Sequence, residues 1–286
     1  MPAANSTDGL QNRAGGGSAR DALESVAFLA RSEHRVHALE LLDGEPRTRT
    51  ELTEQMDVTR VTLSRILGDF EDRGWITRGS KRTYALTSFG ALVYSDFKRL
   101  LGTVSVGRAY PDIVERLPTD WFDFDLRCLA DGELVGGESA DPLSAARVVA
   151  NAVQNASTCT SLLGTFIAFP MYTFEEALRA GTEPETTVVF DPGVTEQMLT
   201  DADLRNRWQT IETATDDAVY YSLDERVPCS IDLIDGNTVF LTVDRDADRG
   251  FDIIRSTHPD VVEWAQETFE TYHSRATPLA QRVEPE

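Results

Sequence analysis

Residues Thr48 to Thr87 read TRTELTEQMDVTRVTLSRILGDFEDRGWITRGSKRTYALT, and their spacing decides how the first third of the chain folds. Thr48 and Glu51 stand at capping-box distance: the hydroxyl can accept a free backbone N–H while the carboxylate reaches back, so a short helix begins here and runs through Met56. Asp57 and Val58 make a tight turn. Thr59 is placed to cap a second helix, in which Leu63, Ile66, Leu67 and Phe70 recur at i, i+3, i+4 and i+7 as one buried face. The opposite face presents Arg60, Val61, Ser64 and Arg65. Gly74 ends that helix, Trp75 and Ile76 open a strand, and Gly79 and Ser80 turn it back through Tyr84 and Leu86, with Arg78, Lys81 and Arg82 at the hairpin tip.

Two helices joined by a short turn and followed by a basic-tipped hairpin resemble the winged helix-turn-helix of prokaryotic transcription regulators. The residues that carry the resemblance are Glu51-Leu52-Thr53, Val58, Thr59 through Arg65, Leu67, Phe70 and Arg73-Gly74-Trp75-Ile76. It implies that the helix from Thr59 enters the major groove of double-stranded DNA. Arg60 and Arg65 would then offer bidentate donors to guanine, and Thr62 and Ser64 are short enough for a base edge or a phosphate. The wing would hold neighbouring phosphates. The expected DNA contacts are Thr59, Arg60, Val61, Thr62, Ser64, Arg65, Arg78, Lys81 and Arg82. Two competing readings are a helical hairpin that only builds a core and a winged helix that binds protein. Basic groups gathered on this face of an otherwise acidic chain count against both.

The net charge of -21 on 286 residues would by itself argue against a polyanionic partner. Its distribution reverses the argument. From Arg31 to Arg99 there are 12 basic and 11 acidic residues, so all the excess carboxylate lies elsewhere. Of the 27 basic residues only Lys81 and Lys98 are lysine. Surplus carboxylate with almost no lysine resembles the composition of salt-in halophilic microbes. No apolar run approaches the roughly 18 to 20 residues of a bilayer span and no secretory pattern opens the chain, so a cytoplasmic protein without a membrane partner is expected. Cys128, Cys159 and Cys229 are odd in number and never form a CxxC pair, which suggests buried thiols and no zinc ribbon.

Outside the decisive stretch, residues 1–18 read as a disordered lead-in carrying Gly15, Gly16 and Gly17, and 19–87 as the DNA-binding domain. Leu23, Val26, Ala27 and Ala30 predict one helical stripe, and Val36, Leu39 and Leu42 a second that stops at Gly44. Residues 88–118 read as linking helices. Their stripe of Phe89, Leu92, Val93, Leu100, Leu101 and Val104 points to pairing with a second copy in a homodimer, or to packing within the subunit. Residues 119–278 alternate strands with helices, an α/β sensor or dimerisation domain, and 279–286 form a tail. Strands are predicted at Phe122 to Leu126, Val188 to Phe190, Val219 to Ser222, Ile231 to Ile234, Val239 to Val243 and Phe251 to Ile254, with Asp235-Gly236 as a hairpin turn. Helices are predicted after Asp141-Pro142, from a Thr173–Glu176 capping box to Gly181, and around Trp264 and Phe269. The fold class is therefore a winged helix-turn-helix domain, a linking amphipathic helix and a mixed α/β domain.

The stretches Val227-Pro228-Cys229-Ser230-Ile231-Asp232-Leu233-Ile234-Asp235, Val239 to Asp244, Ser256-Thr257-His258-Pro259 and Glu263-Trp264-Ala265 are similar to the C-terminal domain of archaeal regulators related to the methanogenesis regulatory protein. With the first resemblance this spans about residues 20 to 278. It implies a domain that senses a small-molecule effector or assembles a dimer, distantly similar to phospholipase-D-type folds. A phosphodiesterase of that type needs His-x-Lys, and here Gly79 and Asp96 stand two residues before the two lysines, so a non-enzymatic chain without cofactor is expected. Asp244, Asp246, Asp248 and Gly250 imitate a calcium loop, but Arg249 and Arg255 occupy the places where the loop needs Gly and Glu. His34 and His37 lack an obvious third ligand, and Gly136-Gly137 lacks the third glycine of a dinucleotide turn, so no metal site is expected.

Overall fold

Both threonine caps form as their spacing predicts. Thr48 Oγ1 accepts the Glu51 N–H at 3.3 Å while Glu51 Oε2 accepts the Thr48 N–H at 2.6 Å, and Thr59 Oγ1 accepts the Thr62 N–H at 3.1 Å. The structure is a computed structural model that describes residues 15–135, 143–182, 184–245 and 250–283. They fall into two units that divide between Leu101 and Gly102.

The first unit contains α1 (Gly15–Ala30), α2 (Glu33–Leu42), β1 (Arg47–Thr48), α3 (Arg49–Gln55), α4 (Arg60–Asp72), β2 (Ile76–Arg78), β3 (Thr83–Leu86) and the start of α5 (Ser88–Ala109). The strands form a small antiparallel sheet in the order β1-β3-β2. Leu52, Leu63, Leu67 and Phe70 are buried in one core with Leu39, Trp75 and Phe97, as the helical period requires. Each such side chain contributes about 1.5–3 kcal/mol through burial. Gly74, at φ +67°, closes α4: its N–H donates to the Glu71 carbonyl and the Trp75 N–H to the Phe70 carbonyl, both at 2.9 Å. Gly90 lies so close to the Trp75 carbonyl that an added Cβ would sit 1.8 Å from its oxygen, which holds α5 directly against the segment that follows α4.

Two expectations for this unit are corrected. Helix α1 begins at Gly15, inside the stretch read as a lead-in, while residues 1–14 lie outside the described residues. Its stripe of Leu23, Val26, Ala27 and Ala30 is not the core face: Leu23 and Val26 are exposed and Leu29 is buried. Phe28 decides the helix rotation, because its ring reaches Trp75 at 5.9 Å and Phe70 at 6.2 Å between centroids. The second stripe holds, with Leu39 and Leu42 buried. On α5, Tyr94 and Phe97 are buried, whereas Phe89, Leu92, Leu100, Leu101 and Val104 are exposed.

The second unit contains the end of α5, then β4 (Glu133–Val135), α6 (Ser144–Gln154), β5 (Thr158–Leu163), α7 (Ala168–Arg179), β6 (Glu185–Phe190), α8 (Pro192–Thr200), α9 (Ala202–Ala214), β7 (Tyr220–Ser222), β8 (Ser230–Ile234), β9 (Thr238–Asp244), β10 (Phe251–Ser256), α10 (Pro259–His273) and β11 (Thr277–Pro278). Its strands form one mixed sheet in the order β11-β7-β6-β5-β8-β9-β10-β4. The β5–β6 and β6–β7 pairs are parallel and the rest antiparallel. Asp235 (φ 49°) and Gly236 (φ 63°) make the predicted hairpin between β8 and β9.

Here too the sequence reading needs correction. Phe122 and Phe124 alternate but form no strand: their rings stack at 4.8 Å and both reach Trp264 at 5.1 Å, and Leu126–Leu129 is a 3-10 turn. Thr173 does not start a helix, since α7 begins at Ala168 and the Thr173 hydroxyl donates to the Pro170 carbonyl at 2.9 Å. Strand β5 is an addition to the strands expected from sequence, and Leu279, assigned there to the tail, is fully buried. The Gly136-Gly137 and Asp141-Pro142 readings and most of the Asp244–Gly250 loop lie outside the described residues. Among the described residues no helix is long and apolar enough to cross a membrane.

Candidate nucleic-acid interface

Helix α4 is held from behind by Leu63, Ile66, Leu67 and Phe70, so its other face is fixed in position and turned to solvent. Arg60, Val61 and Arg65 are exposed there, Val61 by 80%. Thr59 caps the helix, and its hydroxyl lies 3.0 Å from that of Thr62. The Ser64 hydroxyl donates to the Arg60 carbonyl at 2.6 Å, so its proton is held by the helix while its lone pairs remain available as acceptors. Between α3 and α4 runs an open groove of about 450 Å³, lined by Arg49, Thr50, Thr53, Glu54, Arg60, Val61 and Ser64. Arg49, Thr50 and Thr53 are not among the contacts expected from sequence. Their signal is present there all the same: at i, i+1 and i+4 a helix places Arg49, Thr50 and Thr53 on one side.

Arg65 stands on the other flank of α4, within the field of Arg35, Arg73 and Arg31. Burial lowers the Arg35 pKa, Asp69 opposes that, and the three neighbouring guanidinium groups add to it. Arg35 also donates to the Phe28 carbonyl at 2.6 Å, and the guanidinium carbons of Arg35 and Arg73 both lie 3.8 Å from the Phe28 ring centroid.

The wing is not uniformly available. Arg78 donates from Nε and an Nη to the two carboxylate oxygens of Glu71 at 2.7 and 2.8 Å, a bidentate pair that raises its pKa. Arg78 is therefore engaged within the protein rather than standing free for a phosphate. Lys81 and Arg82 are exposed at the tip, and both take left-handed backbone angles, φ 66° and 60°. The structure thus brings Arg60, Val61 and Ser64 to one groove, Arg65 to its flank and Lys81 and Arg82 to the tip.

Other candidate sites are weaker. His37 Nδ1 lies 3.5 Å from Glu40 on an exposed helix face. Cys128, His258 and Asp260 place ligand atoms within 4.8 Å of one another. However, His258 Nδ1 accepts the Asp260 N–H as the cap of α10, and the Cys128 thiol donates to the Asp260 carboxylate.

A capped helix pair, a wing and a separate α/β domain define a winged helix-turn-helix protein of the regulator class. More particularly, residues 23–109 match the HVO_A0261 N-terminal domain and residues 142–275 match the middle domain of the methanogenesis regulatory protein FilR1. No curated protein matches it in sequence. Among solved structures, TrmBL2, an archaeal chromatin protein described as showing a novel mode of DNA binding, is 14% identical, with 88% of this chain and 98% of that one covered at a TM-score of 0.38. The phospholipase D family member Nuc from Salmonella typhimurium is 15% identical over 48% of this chain and 92% of its own, TM-score 0.37. NucT from Helicobacter pylori is 10% identical over 51% and 96%, TM-score 0.35. Likeness this loose carries no argument about activity.

Proposed function

We propose that the chain is a sequence-specific, double-stranded-DNA-binding transcription regulator without enzymatic activity, whose second domain senses an effector or assembles a dimer. The observation that carries this reading is α4: a helix capped at Thr59, buried along one face, and presenting Arg60, Val61 and Arg65 along the other. Arg60 and Arg65 read base edges, Thr59, Thr62 and Ser64 fix the helix start against the backbone, and Lys81 and Arg82 contact phosphates. Arg49 joins them from α3.

The test is to select bound duplexes from a random pool and measure variants on the selected site. Arg65→Ala costs about 1–3 kcal/mol and relaxes preference at one base pair, while Lys81→Ala weakens all sequences alike. Parent-like binding by both variants refutes the reading. The exposed Leu92, Leu100 and Val104 on one side of α5 support a two-fold dimer in which this face meets a second copy. Light scattering that reports only monomer, with and without DNA, refutes that assembly. The acidic, lysine-poor composition supports a halophilic setting for the protein.

A further inference from the structure

In the second unit a cavity lies between the sheet and helices α6 and α7. Its free volume is about 50 Å³, room for about three to five waters at ~10–15 Å³ each on this measure. Strand alternation sends Ser161, Ser230, Asp232 and Thr242 to this one face of the sheet, where all four are buried. Register sets Ser161 directly opposite Asp232 and Ser230 opposite Thr242. The far wall is apolar, with Val153 from α6 and Phe174 from α7.

Asp232 does not fit a structural role. It is only 6% exposed, and the sole hydrogen-bond partner of its carboxylate among the described residues is Ser161, whose hydroxyl donates to Oδ1 at 2.7 Å. Among the described residues no arginine, lysine or histidine lines the cavity. The Ser230 hydroxyl is already committed to the Gly164 and Thr165 backbone. The other ionisable groups facing the space are Cys159 and Tyr220, both held neutral because burial pushes their pKa values up, that of Cys159 to about 12. Burial likewise raises Asp232 to about 6, against the smaller opposing effect of Ser161, so the carboxyl ionises as pH rises toward neutrality and faces a cavity whose described lining holds no counter-charge.

We propose that this cavity binds a compact primary ammonium ion, its N–H groups on Asp232 and its short alkyl body against Val153 and Phe174. The shape and the chemistry both select it: the space admits only roughly four or five non-hydrogen atoms, one end is a hydroxyl-ringed anion, and the other is apolar. This deepens the reading of the second domain as a sensor, and its test needs no DNA, so the two can fail separately.

The experiment is calorimetry on the full chain with n-propylammonium chloride, with n-propanol as the neutral isostere and added KCl as the inorganic cation. The expected result is saturable one-to-one binding of the ammonium ion, at least tenfold tighter than propanol, weakening below about pH 6 as Asp232 protonates. Asp232→Asn keeps the Ser161 hydrogen bond and loses the binding by tenfold or more. Equal affinity for propanol, equal effect of KCl, undiminished binding by a folded Asp232→Asn, or no binding at all overturns the proposal. The three-ligand comparison on the unmodified chain decides the matter even where the variant does not fold.

Discussion

The Glu71–Arg78 pair gives the sharpest test of how the wing meets DNA. Arg78 is 65% exposed and Glu71 25%, so the bidentate pair is half in solvent and contributes little to stability. Glu71→Ala therefore leaves the fold intact. Arg78 keeps a second support, its guanidinium carbon lying 5.5 Å from the Tyr84 ring centroid. Freed from the carboxylate, it becomes one more cation beside Lys81 and Arg82, available for a phosphate.

One added phosphate contact steepens log K against log salt by about 0.9. Between 3 M and 0.5 M KCl the logarithm of salt concentration changes by about 0.8, so the advantage of Glu71→Ala over the parent should grow about fivefold across that range. Fluorescence anisotropy with a labelled duplex measures it, on protein shown by circular dichroism to be folded at both salts. A double-mutant cycle assigns the effect: Arg78→Ala changes parent affinity less than about twofold, yet removes the gain in the Glu71→Ala background. A ratio independent of salt means that freed Arg78 finds no phosphate. A large loss from Arg78→Ala alone means that DNA already draws Arg78 off Glu71, and the argument from the pair fails.

Three further outcomes are expected. Asp252, buried on β10, accepts from Arg116 and Arg245; burial alone would raise its pKa, but the two guanidinium groups outweigh burial and lower it. Because the folded value lies below the unfolded one, this stabilisation is complete above the ordinary carboxylate range and is lost as pH falls from there through the lowered folded value; Asp252→Ala should lower stability at pH 7, with the difference from the parent shrinking as pH falls below that range in denaturant titrations. Gly90→Ala drives a methyl into the Trp75 carbonyl and should cost about 3 kcal/mol, seen as a lower denaturation midpoint; an unchanged midpoint refutes the close approach. Finally, if carboxylates near the DNA such as Asp57, Asp69 and Asp72 trap cations, log K against log salt between 1 and 3 M KCl should be much shallower than about -0.9 per phosphate contact, and a steep slope removes that idea.

What is legible in the sequence follows the range of the interaction. Thr48–Glu51, the i, i+3, i+4, i+7 row from Leu63 to Phe70 and the Asp235-Gly236 turn depend on neighbours a few residues apart, and each forms as read. The engagement of Arg78 is not legible, because its partner Glu71 lies seven residues earlier on a different element, a spacing with no sequence signature. Thr173 shows the converse. Its capping-box spacing is real, but Ala168-Phe169-Pro170 already supplies the first turn, where proline lacks nothing the helix needs.

Strand β5 escapes a sequence reading because Thr158-Cys159-Thr160-Ser161 looks like a polar loop, and only pairing with β6 and β8 on its two edges makes it central. The same residues explain Asp232. In Ser230-Ile231-Asp232-Leu233-Ile234 the strand period is plain, and all five residues are buried, so the charge at the middle position conflicts with the burial that the period demands. An apolar side chain there would satisfy the sheet better, since no cation among the described residues neutralises the carboxylate. A local choice that opposes the global fold is explained most simply by a requirement from outside the fold, and the cavity at Asp232 is where such a requirement can act.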